Sequence, residues 1–357
     1  MYFLGHDRSP ARLGIAEAAV EAASRLVPDT GETRLARAEN LYWGYLNYDR
    51  ALAELEVAAK TLPNDPRVFE LEGYIQRRQG RWDEAMRNLE RAADLDPRNV
   101  FTLEQLALTY QLLRRYAEAE SVLDRILTIE PNNLVWKAAR AFVEVDWKAD
   151  TRPLRELIYE IRATNPAAMP QIAPWWLLCS LAERDVAAAK DALLASEEFP
   201  LQRDTVHFTR PFVEGVIARL TNDEHKAQLA FTAARAKQER KVQAQPDYGP
   251  AWCVLGVIDA ALGRKEDALR EGRRAVELLP VEKDSINGAN MIHYLAMIAA
   301  WVGEKDLAFE QLAFSARTPA GVTYGELKLD PFWDPLRGDP RFEKIVASLA
   351  PKETVSK

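Results

Sequence analysis

The sequence predicts an all-α fold of helical hairpins stacked in series, and three observations predict it. Prolines recur in step: Pro28, Pro63, Pro97, Pro131, Pro166 and Pro200 are separated by 35, 34, 34, 35 and 34 residues, and Pro246 and Pro280 by 34 again. They close related phrases, among them NYDRALAELEVAAKTLP (47–63), GRWDEAMRNLERAADLDP (80–97), RYAEAESVLDRILTIEP (115–131) and GRKEDALREGRRAVELLP (263–280). Within each phrase the apolar residues are three and four apart, which places them on one face of an α-helix.

Each unit reads as two helices and a stop. In residues 66–97 the first helix carries Phe69 and Gly73 and the second Ala85, Leu89 and Ala92. In the next unit the stripe is Leu103, Leu106, Ala107 and Tyr110, then Ala119, Leu123 and Ile126; near the C-terminus it is Trp252, Leu255 and Gly256, then Ala268, Gly272 and Ala275. Gly73, Ala107 and Gly256 mark close helix–helix approaches. Pro97, Pro131 and Pro280 end the second helix, because proline has no N–H to donate and clashes with the preceding turn.

These features resemble the tetratricopeptide repeat, whose period is 34 residues. The resemblance implies a right-handed α-solenoid of about eight to nine helical hairpins with a C-terminal capping helix. Residues 32–131 and 249–317 are expected to be regular units. Residues 132–248 are irregular: Leu154 replaces the usual alanine, Trp175 and Trp176 enter a first helix, and Pro200 to Pro246 spans 46 residues. The extra length is assigned partly to FPLQRDTV (199–206) and partly to a long second helix, roughly Glu224 to Gln245, which would project beyond its neighbours.

The ends differ. Residues 1–31 read as a partial unit: Ala16, Val20 and Ala23 form a second helix whose first is short or missing. MYFLG is apolar where a solenoid end needs a polar cap, so the chain is expected to be a piece of a longer protein or to have a degenerate first unit, with a bare end open to self-association. Residues 318–357 read as the cap: Phe342, Ile345, Val346 and Leu349 form one stripe, with Asp339 as N-cap and Pro340 at the first helical position. DPFWDPLRGDPRFEKIV (330–346) resembles the tail of tetratricopeptide arrays in bacterial signalling proteins, where the array follows a kinase, cyclase or winged-helix module.

Composition excludes several classes. The 357 residues are 48% hydrophobic and 28% charged with net charge −7, which opposes nonspecific binding to nucleic acid or anionic membranes. No run approaches the roughly 20 apolar residues of a membrane span, and no signal peptide is evident, so a soluble, cytoplasmic setting is expected. Cys179 and Cys253 suggest two buried thiols rather than a disulfide framework or metal cluster. Phosphate-binding glycine loops, a zinc-protease histidine pair, a Gly-x-Ser-x-Gly elbow and a kinase signature are all missing from the sequence, so a non-enzymatic chain without cofactor or metal is expected. His6, His207, His225 and His293 are scattered; His293 falls on the groove side of a first helix, as a packing residue within reach of a ligand. Asp83, Glu84, Glu90 and Asp94 read as solvated helix faces.

Stacked hairpins present their first helices on an inner wall that binds extended partners. Carried onto this sequence, the family's groove positions are Asn40 and Trp43; Arg67, Glu70, Tyr74, Arg77 and Arg78; Phe101, Glu104, Leu108, Gln111 and Leu112; and Trp136, Asp146 and Trp147. Aromatic rings beside arginines suit peptide recognition, and Tyr74, Arg77 and Arg78 lead the candidates as surface residues. The family's clamp for chaperone C-termini is incomplete, since Ala36 stands where its lysine belongs. The expected role is therefore a scaffold that binds a peptide or partner protein of unknown identity, the alternative being the regulatory half of a larger bacterial signalling protein.

Overall fold

The computed structural model describes residues 10–351; MYFLG and His6 lie outside them. The described residues contain nineteen α-helices and two three-residue strands, and they fall into two compact units, one ending at Thr109 and the other beginning at Tyr110. The fold is all-α and built of tetratricopeptide-like hairpins, as expected.

In the first unit α1 (Pro10–Leu26) precedes two hairpins, α2 (Gly31–Glu39) with α3 (Tyr48–Ala59) and α4 (Pro66–Arg78) with α5 (Trp82–Leu95), followed by α6 (Val100–Leu112). Side-chain caps start the helices: Thr30 accepts from the Thr33 N–H and Asp65 from the Arg67 N–H, each satisfying a donor the helix leaves open. The expected small-residue contact is real, since a Cβ on Gly73 would stand 2.8 Å from Leu89 of the paired helix. The helix α2 continues through a π-turn at Asn40–Gly44.

The second unit holds α7 (Tyr116–Ile129), α8 (Leu134–Lys148), α9 (Arg152–Thr164), α10 (Ala173–Ala182), α11 (Val186–Ala195), α12 (Arg210–Leu220), α13 (Glu224–Ala244), α14 (Gly249–Ala261), α15 (Lys265–Leu278), α16 (Asn287–Trp301) and α17 (Lys305–Arg317). The long helix α13 ends within a residue of its expected limit, but it does not project free: Val242 in its last turn packs with Ala251 and Leu255 of α14. The segment assigned only extra length contains a β-hairpin, β1 (Leu201–Arg203) and β2 (Val206–Phe208), with Leu201 opposite Phe208 and Arg203 opposite Val206. Its two-residue turn puts Asp204 at φ 48°, the left-handed geometry that such turns require.

One backbone position repeats along the chain. The residue closing each first helix is left-handed: Leu46, Gly80, Arg114, Ala149, Arg184, Asn222, Gly263 and Gly303. Glycine takes this conformation without strain and a side chain costs roughly 1 kcal/mol, so Arg114 (φ 56°) and Arg184 (φ 56°) hold it for another reason.

That reason is the C-terminal segment. After α17 come α18 (Tyr324–Leu329), a 3₁₀ stretch at Pro331–Leu336 and α19 (Pro340–Leu349). α19 carries the expected Asp339 cap, and its Phe342 and Val346 are buried. The preceding residues run along first helices of the second unit. Arg114 donates to the carbonyls of Val322 (2.8 Å) and Ser315 (3.1 Å), and Arg184 to the carbonyl of Leu329 (2.8 Å) and to Asp334 (2.7 Å). Arg203 reaches the carbonyls of Ala320 (3.2 Å) and Gly321 (3.1 Å). A Cβ on Gly325 would collide with the carbonyl oxygen of Val145, so only glycine lets α18 lie this close to α8.

Candidate functional site

Two concave sites emerge, one in each unit. The first is built on α4. Tyr74 lies between Tyr42 and Phe101, ring centroids 6.5 and 6.4 Å away, the latter edge-to-face; Trp43 stands edge-on to Tyr42 at 4.7 Å. Glu39, Trp43, Arg67, Glu70, Leu71, Tyr74 and Phe101 line a cavity of about 160 Å³. Of the expected groove residues, Trp43, Arg67, Glu70, Tyr74 and Phe101 are thus brought together. Glu39 was not foreseen; nothing in its pattern separates it from a solvated helix glutamate.

The expected exposure needs correction. Tyr74 and Arg77 are both 4% exposed. Arg77 is not soluble helix surface: it donates to Thr109 Oγ1 (2.9 Å) and Gln105 Oε1 (2.8 Å), tying α4 to α6. Asn40 and Glu70 are also buried, and Glu70 accepts from the Thr102 hydroxyl. Stacking the next first helix over α4 covers these positions. Arg67 and Phe101 are exposed, while Trp43, Arg78 and Glu104 are half-buried. Gln111 belongs to the second unit and does not share this cavity.

Burial governs the electrostatics here. It pushes the Glu39 carboxyl up, with Arg67 opposing, and the Glu70 carboxyl up, with the Thr102 hydrogen bond opposing. Burial and then Glu70 push the Tyr74 phenol up, and its hydroxyl is a buried polar atom without a hydrogen-bond partner. Arg67 is held by Asp65 at 2.6 Å and so carries a fixed positive charge at the rim. The site offers an aromatic wall, a cationic edge and two carboxyls that burial makes reluctant to ionise alone.

The second site is a cavity of about 230 Å³ in the second unit. Its polar lining comes from Asp146 on α8, Gln202 and Arg203 on β1, His293 and Tyr294 on α16, and Thr323, Glu326 and Asp330 of the C-terminal segment, against Phe142, Phe208, Phe212 and Phe332. Arg203 pairs with Glu326 at 3.1 Å, Thr323 donates to Asp146 at 2.9 Å, and Nε2 of His293 lies 3.3 Å from Glu326. Burial takes the His293 imidazole down to about 4, so it is neutral at pH 7. Burial and then Glu326 push Asp146 up to about 7. Asp330 is raised well above its ordinary value by burial, Glu326 and Asp146. His293 and Asp146 were singled out in the sequence; Arg203, Glu326 and Asp330 were not, because they lie outside the repeated hairpins.

Trp136 and Trp147 are half-buried, and Trp147 stacks on Tyr116 at 6.0 Å. Trp176 is buried in the core, and Cys179 and Cys253 are buried free thiols. Among the described residues no cluster of three or more His, Cys, Asp and Glu could hold a metal ion, and no helix is long and apolar enough to cross a membrane.

Residues 76–141 match the family model described as tetratricopeptide repeat. Over 77 residues the chain is 38% identical to sperm-associated antigen 1 of Mus musculus, a match that spans 22% of this chain and 8% of that protein. The fold is similar to that in the crystal structure of yeast Tom70, with TM-score 0.53 and 12% identity over 82% of this chain and 59% of that one. A tetratricopeptide repeat protein from Parabacteroides merdae aligns over 75% of this chain and 98% of its own, with 16% identity and TM-score 0.49. At 12% identity the Tom70 likeness shows the fold alone.

Proposed function

We propose that this tetratricopeptide chain is a non-enzymatic interaction scaffold whose first unit binds an extended peptide of a partner protein. The observation that carries this reading is the cavity that joins Trp43, Arg67, Glu70, Tyr74 and Phe101 on first helices of that unit. Rigid aromatic side chains bury area at low entropic cost, and buried aromatic anchors dominate such interfaces. Phe101 supplies accessible apolar area, Arg67 a charge at the rim, and Tyr74 the floor. In the second unit, by contrast, Asp146 is engaged by the chain's own Thr323.

The test selects peptides from a displayed library on the full chain, then measures their affinity for an Arg67→Ala/Phe101→Ala variant. Both side chains are exposed, so the far-ultraviolet spectrum should be unchanged while affinity falls at least tenfold. Peptides that hold the variant and the parent equally would remove the groove from consideration. Tyr74 and Arg77 are unsuitable for this test, because their burial confounds binding with folding.

A second reading, the regulatory half of a bacterial kinase, cyclase or winged-helix regulator, rests on the tail motif at 330–346, whose residues Phe332, Trp333, Leu336 and Phe342 are built into the second unit's core. Sequencing the complete gene tests it: an adjoining effector module in frame supports it, and a complete reading frame without one ends it.

A further inference from the structure

The cavity of the second unit is lined by more acid than base. Asp146, Glu326 and Asp330 face it, with Arg203 as the cation and His293 neutral. Glu326 is spent on Arg203 and on the backbone N–H of Thr323. Arg203 is spent in turn on Glu326 and the carbonyls of Ala320 and Gly321, so no guanidinium is left over to receive an anion.

His293 is the second, independent observation. It is 1% exposed and lines the cavity, and its Nδ1 has no hydrogen-bond partner. With Nε2 facing the Glu326 carboxylate, the ring proton belongs on Nε2 and Nδ1 is an acceptor. A buried acceptor without a donor is costly. Donor-rich, positively charged ligands satisfy it and the surplus carboxylates together.

We propose that this cavity binds a small organic cation, a primary amine or guanidinium on an apolar body, with Nδ1 of His293 accepting its N–H, Asp146 and Asp330 holding its charge, and Phe142, Phe208 and Phe212 enclosing its body. The volume of about 230 Å³ accommodates roughly seven or eight heavy atoms at ~30 Å³ for each water-sized group. The elevated affinity of Asp146 and Asp330 for protons is what two carboxyls show when they share a dry site with a third, even with Arg203 and Arg114 opposing at Asp146 and Arg203 and Arg337 at Asp330. The site lies in the second unit and is independent of the peptide groove.

Calorimetry on the full chain tests this with benzylamine, its neutral counterpart benzyl alcohol, the anion benzoate, and an acetylated lysine-containing peptide. Benzylamine should bind at least tenfold more tightly than benzyl alcohol, and benzoate should not bind. Asp330→Asn should lower benzylamine affinity at least tenfold without lowering the melting temperature. Asp146→Asn, which keeps an acceptor for Thr323, should lower it by a smaller factor and carries the test if the first variant fails to fold. Binding of the peptide but not of benzylamine supports the cation chemistry and assigns its source to a partner's side chain. Equal affinity for amine and alcohol, no binding of any cation at millimolar concentration, or variants that bind as the parent does would overturn the proposal.

Discussion

Arg114 and Val322 are 208 residues apart in sequence, and the guanidinium of the first donates twice to the carbonyl of the second, at 3.1 and 2.8 Å. The arginine sits at a left-handed position, φ 56°, that three other hairpins fill with glycine: Gly80, Gly263 and Gly303. Its conformational strain is accepted in return for two acceptors, the carbonyl of Val322 and that of Ser315 at the end of α17.

Replacing Arg114 therefore has two opposed consequences. Arg114→Ala should destabilise the second unit by about 2 kcal/mol, since buried carbonyls lose charged donors. Arg114→Gly loses the same bonds but relieves roughly 1 kcal/mol of backbone strain, so it should be the milder variant. Urea unfolding orders the two; an alanine variant as stable as the glycine one would show that the strain is absent.

Tyr74 yields a prediction of the opposite sign. Its hydroxyl is buried without a partner, so Tyr74→Phe should stabilise the first unit by about 1 kcal/mol. Tyr74→Ala, which empties the space between Tyr42 and Phe101, should cost about 3 kcal/mol or more. Thermal unfolding of both decides; a destabilised phenylalanine variant would mean that the hydroxyl is satisfied.

The second cavity predicts two opposed pH dependences. Asp146 rises from 3.8 to about 7 on folding, so between those values the folded chain holds a proton that the unfolded chain releases. Stability through this group falls as pH rises. His293 drops from 6.5 to about 4, so across that interval the unfolded chain takes up a proton that the folded chain refuses, and stability through this group rises with pH. Asp146→Asn removes the first contribution alone. Its stability relative to the parent should be about 3 kcal/mol greater at pH 8 than at pH 5, read by denaturant titration at each pH; the same difference at both would show that Asp146 titrates as an ordinary carboxyl.

Both thiols should be silent in the native protein. Burial raises Cys179 to about 12 and raises Cys253 as well, and the thiolate is the reactive form. Ellman's reagent should report no rapid thiol until denaturant is added, and two thereafter. Rapid native labelling of either cysteine would show that its neighbourhood opens.

The hairpins were legible because they are local. A proline stop, an alanine contact and a spacing of three and four each act within one unit, and α13 could be bounded from the interval between Pro200 and Pro246. The β-hairpin was not legible, because its turn is Asp204–Thr205 rather than a glycine-containing pair and its strands are three residues each. The repeat positions gave no measure of how deep Tyr74 and Arg77 lie on α4. Tyr74 and Arg77 are covered by residues of α6, and a repeat period says nothing about how closely the next helix leans. The inward path of residues 318–336 was hidden most completely. Its acceptors are backbone carbonyls, which leave no trace in residue identity, and its donors Arg114 and Arg184 read as ordinary turn residues.

The course of that last stretch changes what synthesis of this chain requires. Ordinary repeat arrays can consolidate one module after another as they leave the ribosome, since each module needs only its neighbour. Here Arg114, Arg184 and Arg203 await carbonyls that lie 208, 145 and 117 residues further on. A chain broken before residue 318 would not be a shorter version of the same object: Arg203 would lose Glu326 and both of its carbonyls, and Arg114 the carbonyl that takes two of its bonds.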